Sequence, residues 1–157
     1  MDDHLLEPLR AARTAIRREW ETLLRTEPVV TPLADPDLLS HMIDRTLDEV
    51  LGALSPSHPS HRPVRPTSYA SIRDQCDCGR NPLLAYFLAG ERALLEKLIL
   101  VQAGLRDLAP EKRDKAVTEV YLVLHKIARR DITGFCSVCQ HRGSEAHGPH
   151  AALASRR

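Results

Sequence analysis

Residues 81–105, NPLLAYFLAGERALLEKLILVQAGL, decide the fold of this chain. Asn81 and Pro82 at the start of this segment are typical of a helix N-cap and a first helical residue. Apolar side chains then recur at helical spacing as far as Leu105 and cover most of its surface. We therefore predict that this segment forms the most deeply buried helix of the protein.

Three further segments carry apolar residues at helical spacing, over about residues 4–26, 36–54 and 110–132. Asp35 and Pro36 give the second of them an N-cap and a first residue, and Gly134 is placed to end the last. No two-residue alternation persists, so the sequence predicts no sheet. The expected fold is all-α: an antiparallel four-helix bundle with a metal site at one end, with globin-like packing as the alternative.

The composition is that of one globular domain. The chain has 157 residues, 43% of them apolar and 27% charged. We assign residues 1–140 to the bundle, with a flexible Pro-rich linker at about 55–68, and residues 141–157 to a mobile polar tail. The net charge of +1 gives no field that would attract nucleic acid or an anionic membrane. The acidic start lacks a secretory signal and no apolar run approaches the ~20 residues of a membrane span, so we expect a cytoplasmic protein.

The four cysteines occur as two pairs, Cys76 with Cys78 and Cys136 with Cys139. The first pair precedes the 81–105 segment, and the second follows the 110–132 segment. A short connection joins these two segments, so they should pack as an antiparallel hairpin. Both are roughly 35 Å long at 1.5 Å per residue, so the start of one should meet the end of the other. The sequence therefore predicts that both cysteine pairs lie in loops at one end of the hairpin.

Four convergent thiolates are a donor set that Zn²⁺ prefers, and Cys-x-x-Cys is its usual chelating unit. We predict one structural Zn²⁺ held by Cys76, Cys78, Cys136 and Cys139, with no open position for catalysis. His141 is the main substitute ligand, and an iron–sulfur cluster would use the same four sulfurs. A redox dithiol pair and four unrelated buried cysteines are the remaining interpretations.

Other polar residues give weaker signals. Arg10, Arg13, Arg17 and Arg18 follow one another along the first helix. We expect a solvated face balanced by neighbouring glutamates rather than an anion site. His125 is expected to be a hydrogen-bonded or surface group. The sequence contains no glycine-rich phosphate loop, nucleophile elbow or His-Glu-x-x-His motif, so no catalytic residue is assigned.

Short stretches of the first half resemble a known family. They are Arg17-Arg18-Glu19-Trp20, Thr31-Pro32-Leu33-Ala34-Asp35-Pro36 and Leu47-Asp48-Glu49-Val50-Leu51. Through them, residues 5–54 are similar to the N-terminal sensor domains of bacterial stressosome co-antagonist proteins. The resemblance implies an all-helical, non-haem module that dimerises and has a sensory or regulatory role. The cysteine pairs are not part of that family's pattern, so no binding residue is carried over.

These observations predict a non-catalytic cytoplasmic protein with a regulatory, sensory or interaction role. It would act through a helical surface, with a structural Zn(Cys)4 site that clasps its third and fourth helices. A protein partner is expected, and a homodimer is one form this takes. The alternative is a thiolate-based redox or metal sensor, in which zinc release or an iron–sulfur cluster carries the signal.

Overall fold

The computed structural model describes residues 1–26, 36–55 and 81–138. The helices in these ranges are α1 (Asp3–Ala11), α2 (Arg13–Thr26), α3 (Pro36–Ala53), α4 (Pro82–Gly104) and α5 (Pro110–Val138). The described ranges contain no strand, which confirms the predicted all-α class. None of these helices is long and apolar enough to cross a membrane. Asp35, the predicted linker after residue 55 and the predicted tail at 141–157 lie outside the described residues.

The start of α4 agrees with the prediction from sequence. Asn81 has an extended backbone, with φ −71° and ψ 111°, and its side-chain oxygen accepts a hydrogen bond from Leu83 N–H at 3.0 Å. Pro82 follows in the first turn, where its missing N–H leaves no hydrogen bond unmade. The helix then runs for 23 residues to Gly104. An N-cap and a proline thus set the point at which the most apolar segment of the chain becomes helical.

α4 and α5 pack as the predicted antiparallel hairpin. Near the start of α4, Asn81 Nδ2 donates a hydrogen bond to Ile132 O at 3.4 Å. At the other end of the pair, Gln102 Nε2 donates to Arg113 O at 3.1 Å. The first residues of α4 therefore lie beside the last turns of α5, at the end of the hairpin where the cysteine pairs were expected.

α2 and α3 are also antiparallel, and arginines join them. Arg13 Nε donates to Asp48 Oδ1 at 3.0 Å, and Arg17 pairs with Asp44 at 3.1 Å. The arginine side chains are 34% and 36% exposed, so water screens these pairs only in part. Arg17 also pairs with Glu21 at 3.1 Å, and Arg10 pairs with Glu7 at 2.7 Å, as expected for a face balanced by neighbouring glutamates. The structure adds that Arg13 and Arg17 connect α2 to α3, the next helix in the chain.

The chain directions follow from two more contacts. Lys112 Nζ near the start of α5 lies 3.1 Å from Asp2 Oδ2 at the start of α1. Trp20 on α2 contacts Tyr86, which the hairpin places level with the second half of α5. α2 therefore runs in the direction of α5. Because α3 is antiparallel to α2 and α4 is antiparallel to α5, α3 and α4 run in the same direction.

The first predicted helix is broken into two. Ala12, with φ −82° and ψ 1°, separates α1 from α2. Hydrogen bonds from Ala12 N–H to Pro8 O at 3.1 Å and from Ile16 N–H to Ala12 O at 3.0 Å continue across the break, so the chain bends there but does not turn back. Pro8 lies inside α1, where it has no N–H to donate and its ring crowds the preceding turn. The apolar periodicity continues through this bend, and periodicity alone therefore predicted one helix.

The last helix is longer than predicted. α5 has 29 residues and continues to Val138, so Gly134 does not end it. A glycine inside a helix costs about 1 kcal/mol relative to alanine, which packing can outweigh. Here the Asn81 side chain contacts the last turns of α5, and Ser137 Oγ donates to Gly134 O at 2.7 Å. The prediction that Cys136 lies in a loop is consequently wrong, because it lies on α5.

Trp20 is the largest fully buried side chain and occupies a notch in α4. The notch exists because residue 90 is glycine: a Cβ there would overlap the six-membered ring of Trp20. Trp20 Nε1 donates to Tyr86 O at 2.9 Å, and the two aromatic rings lie 4.9 Å apart. Thr46 Oγ1 lies 2.9 Å from the buried Tyr86 hydroxyl, which ties α3 to the same point. The notch therefore joins α2, α3 and α4.

We predict that Gly90→Ala destabilises the protein by about 2 to 3 kcal/mol, because the new methyl group overpacks the indole. The effect is opposite to helix propensity, which favours alanine by about 1 kcal/mol. Urea denaturation followed by far-UV circular dichroism measures the difference.

Gly52→Ala is the matched control, because Gly52 is also helical but a Cβ there meets nothing within 4 Å. It should leave stability unchanged or raise it by up to about 1 kcal/mol. Equal shifts in the two variants would show that the Trp20 notch is not tightly packed.

Candidate functional site

The end of the hairpin where both cysteine pairs were expected is organised around Asn81, which is only 4% exposed. Its side-chain oxygen caps α4, while its side-chain nitrogen donates to Ile132 O and lies 3.2 Å from Cys136 Sγ. One amide therefore fixes the first turn of α4 to the last turns of α5. We call this contact the Asn81–Cys136 junction.

Cys136 is partly buried and packs against the core at the end of α5. Its sulfur lies against an amide N–H and beside the N-terminus of α4, which carries the positive end of the helix dipole. Hydrogen-bond donors of this kind are the usual outer partners of metal-bound ligands, because they orient the ligand and compensate its charge. The surroundings of this sulfur therefore suit a thiolate ligand.

Cys76, Cys78, Cys139 and His141 lie outside the described residues, so the structure places only Cys136 of the predicted metal ligands. In the part of the chain that is described, no three His, Cys, Asp or Glu side chains form a group that could hold a metal ion. The Zn(Cys)4 site therefore stays a prediction, and of its four cysteines only Cys136 is described.

A second polar contact crosses the hairpin near its middle. His125 is 6% exposed, and its Nε2 lies 3.2 Å from Glu91 Oε2. The imidazole also lies against Tyr121, with ring centroids 3.8 Å apart. This confirms the expectation that His125 is a hydrogen-bonded helical histidine. Because the histidine is buried, the hydrogen bond between His125 and Glu91 is stronger than it would be in water. It fixes the position of α4 along α5 at this point.

An open groove of about 590 Å³ lies between α3 and α5. Gly52, Ala53, Val123 and Ile127 contribute its apolar surface. Charged side chains also line it: Asp48, Glu49, Lys126 and Arg130. The volume is that of a small-molecule site, but acidic and basic groups are mixed around it, so the lining favours no one class of ligand.

Glu49 and Arg130 form a two-point ion pair across this groove, at 2.6 and 2.9 Å. The hydrogen bonds from Arg130 hold the pKa of the Glu49 carboxyl below its ordinary value, and the same pair raises the pKa of Arg130. Asp131 accepts a further bond from Arg130 Nε at 2.7 Å. The arrangement joins α3 to α5 through a charged contact at the groove.

The structure gives two residues roles in packing that the sequence does not predict. Asn81 was assigned only as an N-cap, because a capping pattern does not show what the other end of the amide contacts. Gly90 lies within the apolar segment 81–105, where helical periodicity alone gives it no particular role. A glycine in the interior of a long apolar helix is itself a sign of close approach by a large side chain, and Trp20 is the only tryptophan in the chain.

Comparisons of the chain with protein-family models, with curated proteins and with solved structures find no match.

We predict that Glu49→Gln lowers stability at neutral pH by up to about 1 kcal/mol, as is usual for partly exposed ion pairs. Because the pKa of Glu49 is lowered in the folded state, its contribution is present above the ordinary value of 4.5 and is lost as the pH falls through the folded value. The stabilities of wild type and Glu49→Gln, measured in urea from pH 3 to 8, should therefore converge at acidic pH.

The control is the same substitution in an Arg130→Gln background, where Glu49 has lost this partner. There the effect of Glu49→Gln on stability should depend much less on pH. An undiminished pH dependence in that background would assign the effect to other charges near Glu49.

Proposed function

We propose that this chain is a non-catalytic, cytoplasmic regulatory or interaction protein in which a structural Zn²⁺ clasps the start of α4 to the end of α5. The ligands are Cys76, Cys78, Cys136 and Cys139. The observation that carries the proposal is the Asn81–Cys136 junction, in which an N-cap amide lies 3.2 Å from a predicted ligand sulfur.

Chain connectivity supports the ligand set. Cys78 precedes Asn81 by three residues, so its Cα stays within about 11 Å of the Asn81 Cα. Cys139 follows Cys136 by three residues, which is the spacing of the usual chelating pair. The segment before Asn81 and the segment after Cys136 can therefore both reach one ion at this end of the hairpin. With four thiolates the coordination is complete, and the role of the metal is structural.

We propose that the helices form an antiparallel four-helix bundle in which α1 and α2 together make one bent member. The support is that α2 packs against both α3 and α4, while α5 packs against the same two helices. The resemblance of residues 5–54 to stressosome sensor domains agrees with an all-helical signalling module. We propose a regulatory or sensory role, with a homodimer as the working form, on that basis.

The expected composition is one zinc per chain, measured by mass spectrometry of the metal on purified protein. Cys136→Ser should lose zinc and melt about 10 °C lower than wild type, because metal-binding energy is folding energy. Wild type treated with a chelator should melt at the temperature of the variant.

Ser137→Ala is the matched control on the same turn, since Ser137 is exposed and its Oγ donates to Gly134 O within the same helix. It should keep zinc and melt within about 2 °C of wild type. Four titratable thiols with no bound zinc in the wild type would overturn the clasp.

A second candidate function is a thiolate-based redox or metal sensor. The observation that favours it is the partial exposure of Cys136, which gives an oxidant access to one ligand. Titration with peroxide separates the two functions. Zinc release at low oxidant, together with a fall in helical content, supports the sensor; retention of zinc supports the structural clasp. Iron and visible absorption bands in place of zinc would indicate an iron–sulfur cluster.

A further inference from the structure

α4 exposes large apolar side chains on the face that points away from the core. Leu88 is 46% exposed, Ile99 56% and Leu100 63%. Leu95 is partly buried on the same side. A helix that is apolar all round is usually buried all round by other helices or by a partner. The outer face of α4 is instead exposed to solvent, which is typical of a surface that binds another protein.

Only two charged residues interrupt this face, and they have opposite signs. Arg92 and Glu96 are 64% and 48% exposed and pair with each other at 2.8 Å. They are separated by four residues, so they lie one above the other on the outer side of α4. Glu19 on α2 adds a negative charge near Arg92 at the edge of the face.

The face has a mirrored order along the chain. Counting outward from position 94, Arg92 corresponds to Glu96, Leu88 to Leu100 and Ala89 to Ile99. When the helix is laid antiparallel on a copy of itself with position 94 as the centre, opposite charges therefore come to the same height, and so do apolar side chains. A surface with this property is self-complementary about a twofold axis, which is the geometry of most homodimers.

We propose that the outer face of α4 binds the same face of a second copy of this chain, with the two α4 helices antiparallel about a twofold axis level with residue 94. In this arrangement Arg92 of each protomer lies level with Glu96 of the other, and Leu88 of each lies level with Leu100 of the other. The interface uses no cysteine, so it stands whether or not zinc is bound. It rests on the proposed homodimer and assigns that dimer its surface.

Charge reversal tests the pairing. Arg92→Glu and Glu96→Arg each place four like charges at the centre of the interface. Each variant alone should raise the dimer dissociation constant at least about tenfold relative to wild type. An equimolar mixture of the two variants should restore association as a heterodimer. A glutamate at position 92 of one chain then faces an arginine at position 96 of the other, and the native Glu96 of the first chain faces the native Arg92 of the second. Analytical ultracentrifugation of each variant and of the mixture, with one variant fluorescently labelled, measures this.

Recovery in the mixture cannot arise from a folding defect in either variant, since mixing leaves each chain unchanged. A glutamate at position 92 would also be repelled by Glu19 of the same chain. Thermal melts of the separate variants measure how much this repulsion destabilises the fold. Leu100→Asp should also weaken the dimer at least about tenfold, while Leu38→Asp, at a leucine on α3 that is 45% exposed, should leave it intact.

Three outcomes overturn the inference. A wild-type chain that stays monomeric removes both the proposed homodimer and this interface. If the chain dimerises and none of these substitutions changes the dissociation constant, the proposed homodimer stands but its interface lies on another surface. A dimer weakened by each charge variant and not recovered on mixing shows that the charges act within one chain and not between two.

Discussion

The contact of Trp20 with the backbone of α4 at Gly90 is the constraint on which the rest of the packing depends. The indole can lie this close only because residue 90 has no side chain, and its N–H is satisfied by Tyr86 O at 2.9 Å. The hydroxyl of Tyr86 contacts Thr46 on α3. One aromatic pair therefore sets the distance of α2 from α4 and the position of α3 beside both. Protein interiors are close-packed, so a shift of this aromatic pair would displace the neighbouring side chains. The alignment of the other helix contacts therefore depends on it.

Polar contacts also join individual pairs of helices. Arg13 and Arg17 join α2 to α3, and Arg130 joins α5 to α3 through Glu49. Asn81 is different in kind, because it is nearly fully buried and satisfies two helix ends with one amide. Loss of a surface pair costs little, whereas loss of a buried amide leaves carbonyl and N–H groups without partners. The end of the hairpin that carries Cys136 is consequently held by an uncharged contact.

The sequence predicted the helices whose ends carry strong local signals. Asn81 and Pro82 gave the start of α4 to the residue, and the short connection before Pro110 gave the hairpin. It failed where tertiary contacts override local preference. Gly134 has the chemistry of a helix end, yet contacts from Asn81 keep the chain helical beyond it. Of the predicted site, only Cys136 is described. Matched helix lengths bring the start of α4 to the end of α5, but they do not show which side chains touch there, so the contact of Asn81 with Cys136 could not be predicted.

The shared direction of α3 and α4 has a consequence for chain topology. A chain that leaves α3 has to travel back along the molecule before it can enter α4 at Asn81, over a distance on the order of 20 Å. An extended chain needs at least about six residues for that distance. Residues 56–80 therefore carry a minimum-length requirement that is independent of their composition. A deletion that shortened this connection below that length would prevent α3 and α4 of one chain from packing in the same direction. The two helices would then have to pack with those of another chain, or one of them would have to reverse its direction.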